Sequence, residues 1–244
     1  MTDRPILFSA PMVRGILEGR KTQTRRCIQR LLKFGAISDF GASDTEGYDW
    51  HFRDREKRFH DLRHSDLIKY LPVAVGDRLW VRETWADVNG GDEGPGFAYK
   101  VRGFRPCRWD ADPVEYSRYP KCSFTMWYED LLRGEKDHSW RPSIFMPRSI
   151  SRITLIVESV RVERLQDISE EDAIAEGIYL FKDGDYTGGY KFAAGEQEFD
   201  TATEAYADLW DRINGKTPDK RWSANPRVAA VSFTPIFQNI EEVR

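Results

Sequence analysis

Gly19-Arg20-Lys21-Thr22-Gln23-Thr24-Arg25-Arg26 places four cations, two threonine hydroxyls and almost no apolar surface in eight residues. Just before it, Ser9 can cap a helix from about Ala10 to Glu18, with Pro11 in the first turn, where its missing N–H costs little. Val13, Ile16 and Leu17 form the buried face of that helix, and Gly19 ends it. In an extended chain, alternation puts Lys21, Gln23 and Arg25 on one face and Thr22, Thr24 and Arg26 on the other. Lys21 and Thr24 then meet only if the backbone turns or bulges between them. A segment this charged is either a solvated face or the floor of an anion-binding or catalytic pocket.

Outward from this stretch, residues 30–70 read as a polar, charge-rich surface insertion with little core of its own. Val75-Gly76-Asp77-Arg78 is a turn feeding Leu79-Trp80-Val81-Arg82-Glu83-Thr84-Trp85, a strand that puts Glu83 on the same side as Leu79 and Val81. Phe97 to Val101 completes a hairpin with it, and residues 102–139 read as a second insertion. Trp140 to Arg148, interrupted by Pro142 and Pro147, reads as a sheet edge or pocket wall. Alternating apolar residues over Ser151 to Leu165 predict a bent strand or strand pair, with a bulge near Glu158-Ser159. Ser169-Glu170-Glu171-Asp172 opens a short helix that stops at Gly177, and Thr201-Ala202-Thr203-Glu204 opens another, whose apolar stripe is Ala205, Tyr206, Leu209, Trp210 and Ile213. Residues 182–195 read as a glycine-rich loop, and Val228 to Phe233 as a final strand. The expectation is a single α+β domain over residues 1–244.

Composition narrows the function classes. With 244 residues, 40% hydrophobic and 13% aromatic, the chain can bury a core and reads as soluble and globular. A net charge of -3 argues against coating nucleic acid nonspecifically, which needs a broad basic field. Cys27, Cys107 and Cys122 form neither a disulfide framework nor a metal knuckle, and the start of the chain lacks a signal-peptide layout, so the expected compartment is the cytoplasm, with no membrane partner. His60 and His64 share i, i+4 spacing, but no further ligand completes a set. Asp183 to Ala194 begins like a calcium loop yet lacks the closing glutamate. No metal and no cofactor are expected.

Two constellations remain. A lysine beside a hydroxyl can act as a general base once burial lowers its pKa, which nominates Lys21 and Thr24, with Glu83 or Glu176 as the partner carboxylate. Arg20, Arg25, Arg26, Arg82 and Arg148, with Trp80 and Trp85, could grip phosphates and stack on bases. The alternative for each is an ordinary surface ion pair or packing.

The Gly19–Arg26 stretch, Gly76-Asp77-Arg78-Leu79-Trp80-Val81-Arg82-Glu83-Thr84-Trp85 and Leu165-Gln166-Asp167-Ile168-Ser169-Glu170-Glu171-Asp172-Ala173 with Glu176-Gly177 resemble the ASCH domain, a PUA-like β-barrel family. Trp140 to Arg148 and the segment from Leu209-Trp210-Asp211 to Asn225-Pro226 are similar to its longer phage and prophage branch. The resemblance implies a PUA-like mixed barrel with flanking helices and a basic cleft for RNA or a modified nucleoside. It also implies a second reading, because a small bacterial subgroup hydrolyses the acetyl amide of acetylcytidine with a lysine, a threonine and a glutamate that fall here on Lys21, Thr24 and Glu176. RNA or nucleoside binding is the first expectation and acyl hydrolysis the second. A protein-interaction module of phage origin is the third, with oligomeric state open.

Overall fold

The computed structural model describes residues 2–28, 37–63, 65–66, 71–101, 103–106, 124–134, 139–183, 186–193 and 196–243. Cys107, Cys122 and His64, with residues 30–36, 67–70, 102, 107–123 and 135–138 of the two segments read above as insertions, lie outside the described residues. In chain order the elements are β1 (Asp3–Leu7), α1 (Ala10–Leu17), β2 (Gln23–Cys27), β3 (Ser38–Ala42), β4 (Trp50–Arg53), β5 (Phe59–Leu62), β6 (Arg78–Arg82), β7 (Trp85–Asn89), β8 (Pro95–Tyr99) and β9 (Phe104–Pro106). They continue with α2 (Tyr128–Arg133), β10 (Thr154–Arg164), α3 (Glu170–Ala175), β11 (Tyr179–Asp183), β12 (Tyr186–Lys191), α4 (Ala202–Asn214) and β13 (Arg227–Ile236). The fold is mixed α+β and mostly strands, and among the described residues the sheets do not close into a barrel.

The chain divides into two compact units, each built from three stretches: Met1–Thr2, Glu18–Asp77 and Ile156–Thr234 in the first; Asp3–Leu17, Arg78–Leu155 and Pro235–Arg244 in the second. In the first unit, β2 pairs antiparallel with β13, Thr24 opposite Val231 and Arg25 opposite Ala230, and β10 flanks β13 on the other side. The charged strand is held in place by an apolar one: Val228, Ala229, Ala230, Val231 and Phe233 are all buried. The strands β3, β4 and β5 form a small sheet around Phe52, which is wholly buried and stacked between Phe40 and His60. That segment therefore has an aromatic core, contrary to its surface-like composition. The glycine-rich stretch read as a loop is the β11–β12 hairpin.

In the second unit, β1 runs parallel to β6, with Ile6 opposite Val81, and α1 buries Val13 and Ile16. The strand predicted through Trp85 ends at Arg82, and Trp85 instead starts β7, which pairs with β8 (Trp85 opposite Tyr99) and through it with β9. Trp85, Phe97, Tyr99, Phe124, Met146 and Ile150 make one apolar cluster of this unit. The proline-flanked segment after Trp140 is not extended throughout: it forms two short 3-10 turns, Ser143–Phe145 and Arg148–Ile150. The Asn239 amide braces it by donating to the carbonyls of Arg148, Ser149 and Ser151.

Candidate functional site

The basic stretch enters the first unit through Gly19, at φ +72. The backbone of Thr22 is then clasped from both sides: its N–H donates to Ala175 O at 2.9 Å, and its carbonyl accepts from Phe233 N–H at 2.9 Å. Lys21 forms an isolated antiparallel bridge with Glu176. Glu176 is delivered by α3, which starts where Ser169 Oγ accepts the Asp172 N–H at 3.1 Å and ends with Glu176 as its last capping residue. Gly177 follows at φ +105, and a Cβ there would meet Phe192 at 3.2 Å and the Lys21 Cβ at 3.4 Å. Only glycine lets the helix end pass this closely over Lys21.

Lys21 is fully buried, with all three ammonium protons directed to acceptors: Gln23 O at 2.8 Å, Glu176 O at 2.8 Å and Glu176 Oε2 at 2.6 Å. Four residues on from Lys21, Arg25 is 3% exposed. It donates to Glu163 from Nε and Nη2 (2.9 and 2.6 Å), to Asp172 Oδ2 (2.6 Å) and to the Gln23 side-chain carbonyl. Asp172 also accepts from Gln23 Nε2 at 3.0 Å and from the half-exposed Arg161 at 2.6 Å. The second Glu176 oxygen, Oε1, accepts from the Tyr206 hydroxyl at 3.3 Å and lies 3.5 Å from Arg25 Nη1.

Burial dominates the electrostatics. Desolvation lowers the Lys21 pKa, outweighing the opposing pull of Glu176. Burial likewise lowers Arg26, which is partly buried. For Arg25 the balance reverses: burial pulls the guanidinium down, but Glu176, Tyr206 and Glu163 together hold it above its ordinary value. Burial and the neighbouring Glu176 keep the Tyr206 phenol well above its own, so it remains a hydrogen-bond donor.

At the edge of this network, the Arg20 guanidinium lies 4.6 Å from the Tyr179 ring centroid and donates to Gly177 O at 2.7 Å and to Glu18 at 2.6 Å. Along the outer face of α4, a groove of about 590 Å³ is lined by Glu198, Asp200, Glu204, Asp208 and Asp211 with Phe199 and Trp222. Its acidity makes it unsuited to phosphate.

The structure thus brings Lys21, Arg25 and Glu176 together, with Arg20 at the edge. Thr24 is buried on the same strand, its side chain alternating to the face opposite Gln23 and Arg25. The ligand-contact role expected for Arg25 does not fit its place, because its guanidinium faces carboxylates inside the protein.

Apart from Arg26 and His60, which belong to the first unit, the remaining sequence candidates lie in the second unit, each in a local arrangement. Glu83, 1% exposed, is held by Arg152 through both oxygens at 2.8 and 2.9 Å, and burial raises its pKa against that partner. Arg82 lies over Trp80 at 5.2 Å and donates to Ile144 O. Trp85 is buried under Arg141, and Arg148 pairs with Asp3 at 2.5 Å. His60 is bonded to Asp54 at 2.9 Å. Among the described residues, no group of three or more His, Cys, Asp or Glu side chains is placed to hold a metal, and no helix is long and apolar enough to cross a membrane.

Sequence reasoning missed Glu163, Asp172 and Tyr206. Asp172 was visible only as part of a helix start, and Tyr206 as one member of an apolar stripe. Comparison of the chain with protein-family models, curated proteins and solved structures finds no match.

Proposed function

We propose that this chain is an ASCH-type, PUA-like protein of phage or prophage kind that binds RNA or a modified nucleoside beside the Lys21–Glu176 pair. The observation that carries this reading is the Arg20–Tyr179 stack, anchored on Gly177 O and joined in sequence to both Lys21 and Glu176. A guanidinium lying on an aromatic ring presents the flat, cationic surface on which bases stack. Lys21 and Arg25 act behind it as the rigid floor, since their donors are already engaged within the protein.

A second reading, hydrolysis of an N-acylated cytosine nucleoside, is favoured by one further observation: burial lowers the Lys21 pKa while Glu176 lies 2.6 Å away. In that reaction Lys21 takes the Thr24 hydroxyl proton as the oxygen attacks the acyl carbonyl. The amide C–N bond then breaks, the cytosine amine leaves with a proton relayed through Lys21 and Glu176, and water hydrolyses the acyl-threonine. It requires Thr24 to come within reach of Lys21.

The test pairs fluorescence anisotropy on labelled single-stranded RNA with calorimetry on acetylcytidine. The expected result is salt-sensitive binding that Arg20→Ala weakens roughly tenfold, the size of one lost base stack. Wild-type protein that binds neither ligand overturns the reading. Release of cytidine from acetylcytidine, abolished in Lys21→Ala, moves the conclusion to the hydrolase.

A further inference from the structure

We propose that Tyr206 is a positioning residue for Glu176, its hydroxyl holding Oε1 so that Oε2 stays on the Lys21 ammonium. This rests on the reading of Lys21 and Glu176 as the functional centre. Glu176 closes a six-residue helix, so its side chain extends from an element too short to fix it alone. The support comes from α4. Glu170, in the first turn of α3, accepts the Ala202 N–H at 2.7 Å and the Thr203 N–H at 3.1 Å, which docks α3 on the N-terminus of α4. One turn further along α4, Tyr206 reaches Glu176. The two helices are thus joined at both ends of α3, and the second joint is a single phenolic hydroxyl.

Tyr206 is suited to this role. It is 3% exposed, its ring is packed by Trp210 and Trp222 with centroids at 6.2 and 6.3 Å, and Arg25 lies 5.9 Å from its centroid. A phenylalanine would fill the same space, so packing alone leaves the hydroxyl without a purpose. The charged and titratable groups gathered around the Lys21–Glu176 pair are Arg25 and Arg26 from β2, Asp172 from α3, Arg161 and Glu163 from β10 and Tyr206 from α4. Of these, Tyr206 and Arg25 are seen to approach Glu176 Oε1, Tyr206 as a neutral group. Its loss frees the carboxylate to turn toward Arg25 and away from Lys21.

The experiment follows the Lys21 side-chain nitrogen by NMR through a pH titration of the full chain. In Tyr206→Phe the Lys21 midpoint is expected to fall by about half a unit, the size of one weak hydrogen bond, since the 3.3 Å contact acts on Lys21 through Glu176. Trp222→Phe, which alters the ring packing and leaves the hydroxyl in place, is expected not to move it. An unchanged midpoint in Tyr206→Phe, or an equal shift in Trp222→Phe, overturns the assignment. Where a titration cannot be completed, the Glu176 carboxyl carbon shift at neutral pH gives the same comparison: it moves in Tyr206→Phe only, or the assignment falls. Ligand binding plays no part in this readout. A protein that shows the Tyr206 effect and binds neither RNA nor acetylcytidine upholds the assignment while overturning the functional reading.

Discussion

Lys21 directs three protons to three oxygens at zero exposure, and a buried charge of this kind is stabilising only while its partner is present. Lys21→Met removes the nearest partner of the buried Glu176 carboxylate, leaving it Arg25 at 3.5 Å, and is expected to cost about 3 kcal/mol in urea denaturation. Replacing both residues, Lys21→Met with Glu176→Leu, is expected to recover most of that loss, because neither charge is then buried alone. Asp172 supplies the pH dependence. Burial pushes its carboxyl up, but hydrogen bonds from Gln23 and Arg25 and the nearby charge of Arg161 outweigh it, and the pKa lies below the ordinary 3.8. The native state therefore holds its proton less tightly than the unfolded chain. The stability Asp172 contributes is present above pH 3.8 and is lost as pH falls through the lowered value. In thermal melts, the gap between wild type and Asp172→Asn is expected to be widest near neutral pH and to close on acidification below 3.8. Strand alternation made part of this site legible, since it put Lys21, Gln23 and Arg25 on one face, the face that holds the network. It could not show that Arg25 turns to Glu163 and Asp172, residues 138 and 147 positions away.

The helices that deliver the site were readable from their caps. Ser169 and Thr201 each accept the N–H three residues on, and Glu204 returns the bond to Thr201. Because α3 is only six residues long, its first turn depends on the Ser169 cap. Ser169→Ala is expected to lower stability by about 1 kcal/mol and to raise amide exchange at Asp172, measured by hydrogen–deuterium exchange. The β11–β12 hairpin was misread because glycine has two uses that composition does not separate. Gly188 and Gly189 serve close approach here: a Cβ on Gly189 would lie 2.5 Å from the Phe199 carbonyl, and one on Gly188 would lie 2.4 Å from a Glu198 oxygen. Glycines that admit a neighbouring chain segment look in sequence like glycines that loosen a loop. Phe52 shows the converse, an apolar residue hidden among charges whose burial depends on Phe40 and His60 coming from flanking strands.

At the scale of the molecule, the chain passes between its two units five times, after residues 2, 17, 77, 155 and 234. Neither unit is a contiguous piece of sequence, so no single cut liberates one intact. A fragment ending at Leu155 lacks the whole Ile156–Thr234 part of the first unit, including Glu176 and Tyr206, and is expected to show no cooperative transition by circular dichroism. Local patterning is blind to such interleaving, because each segment carries a plausible pattern whichever unit it joins. The sealed position of Lys21 also turns the protein into its own clock. Amine-acylating reagents reach exposed lysines directly, but they can modify Lys21 only when the end of α3 lifts from its bridge to Lys21. Peptide mass spectrometry over a time course is expected to show Lys21 labelled far more slowly than the exposed Lys57 and Lys216. Where reclosing outpaces acylation, the lag measures how rarely the centre stands open, readable without knowing what it binds.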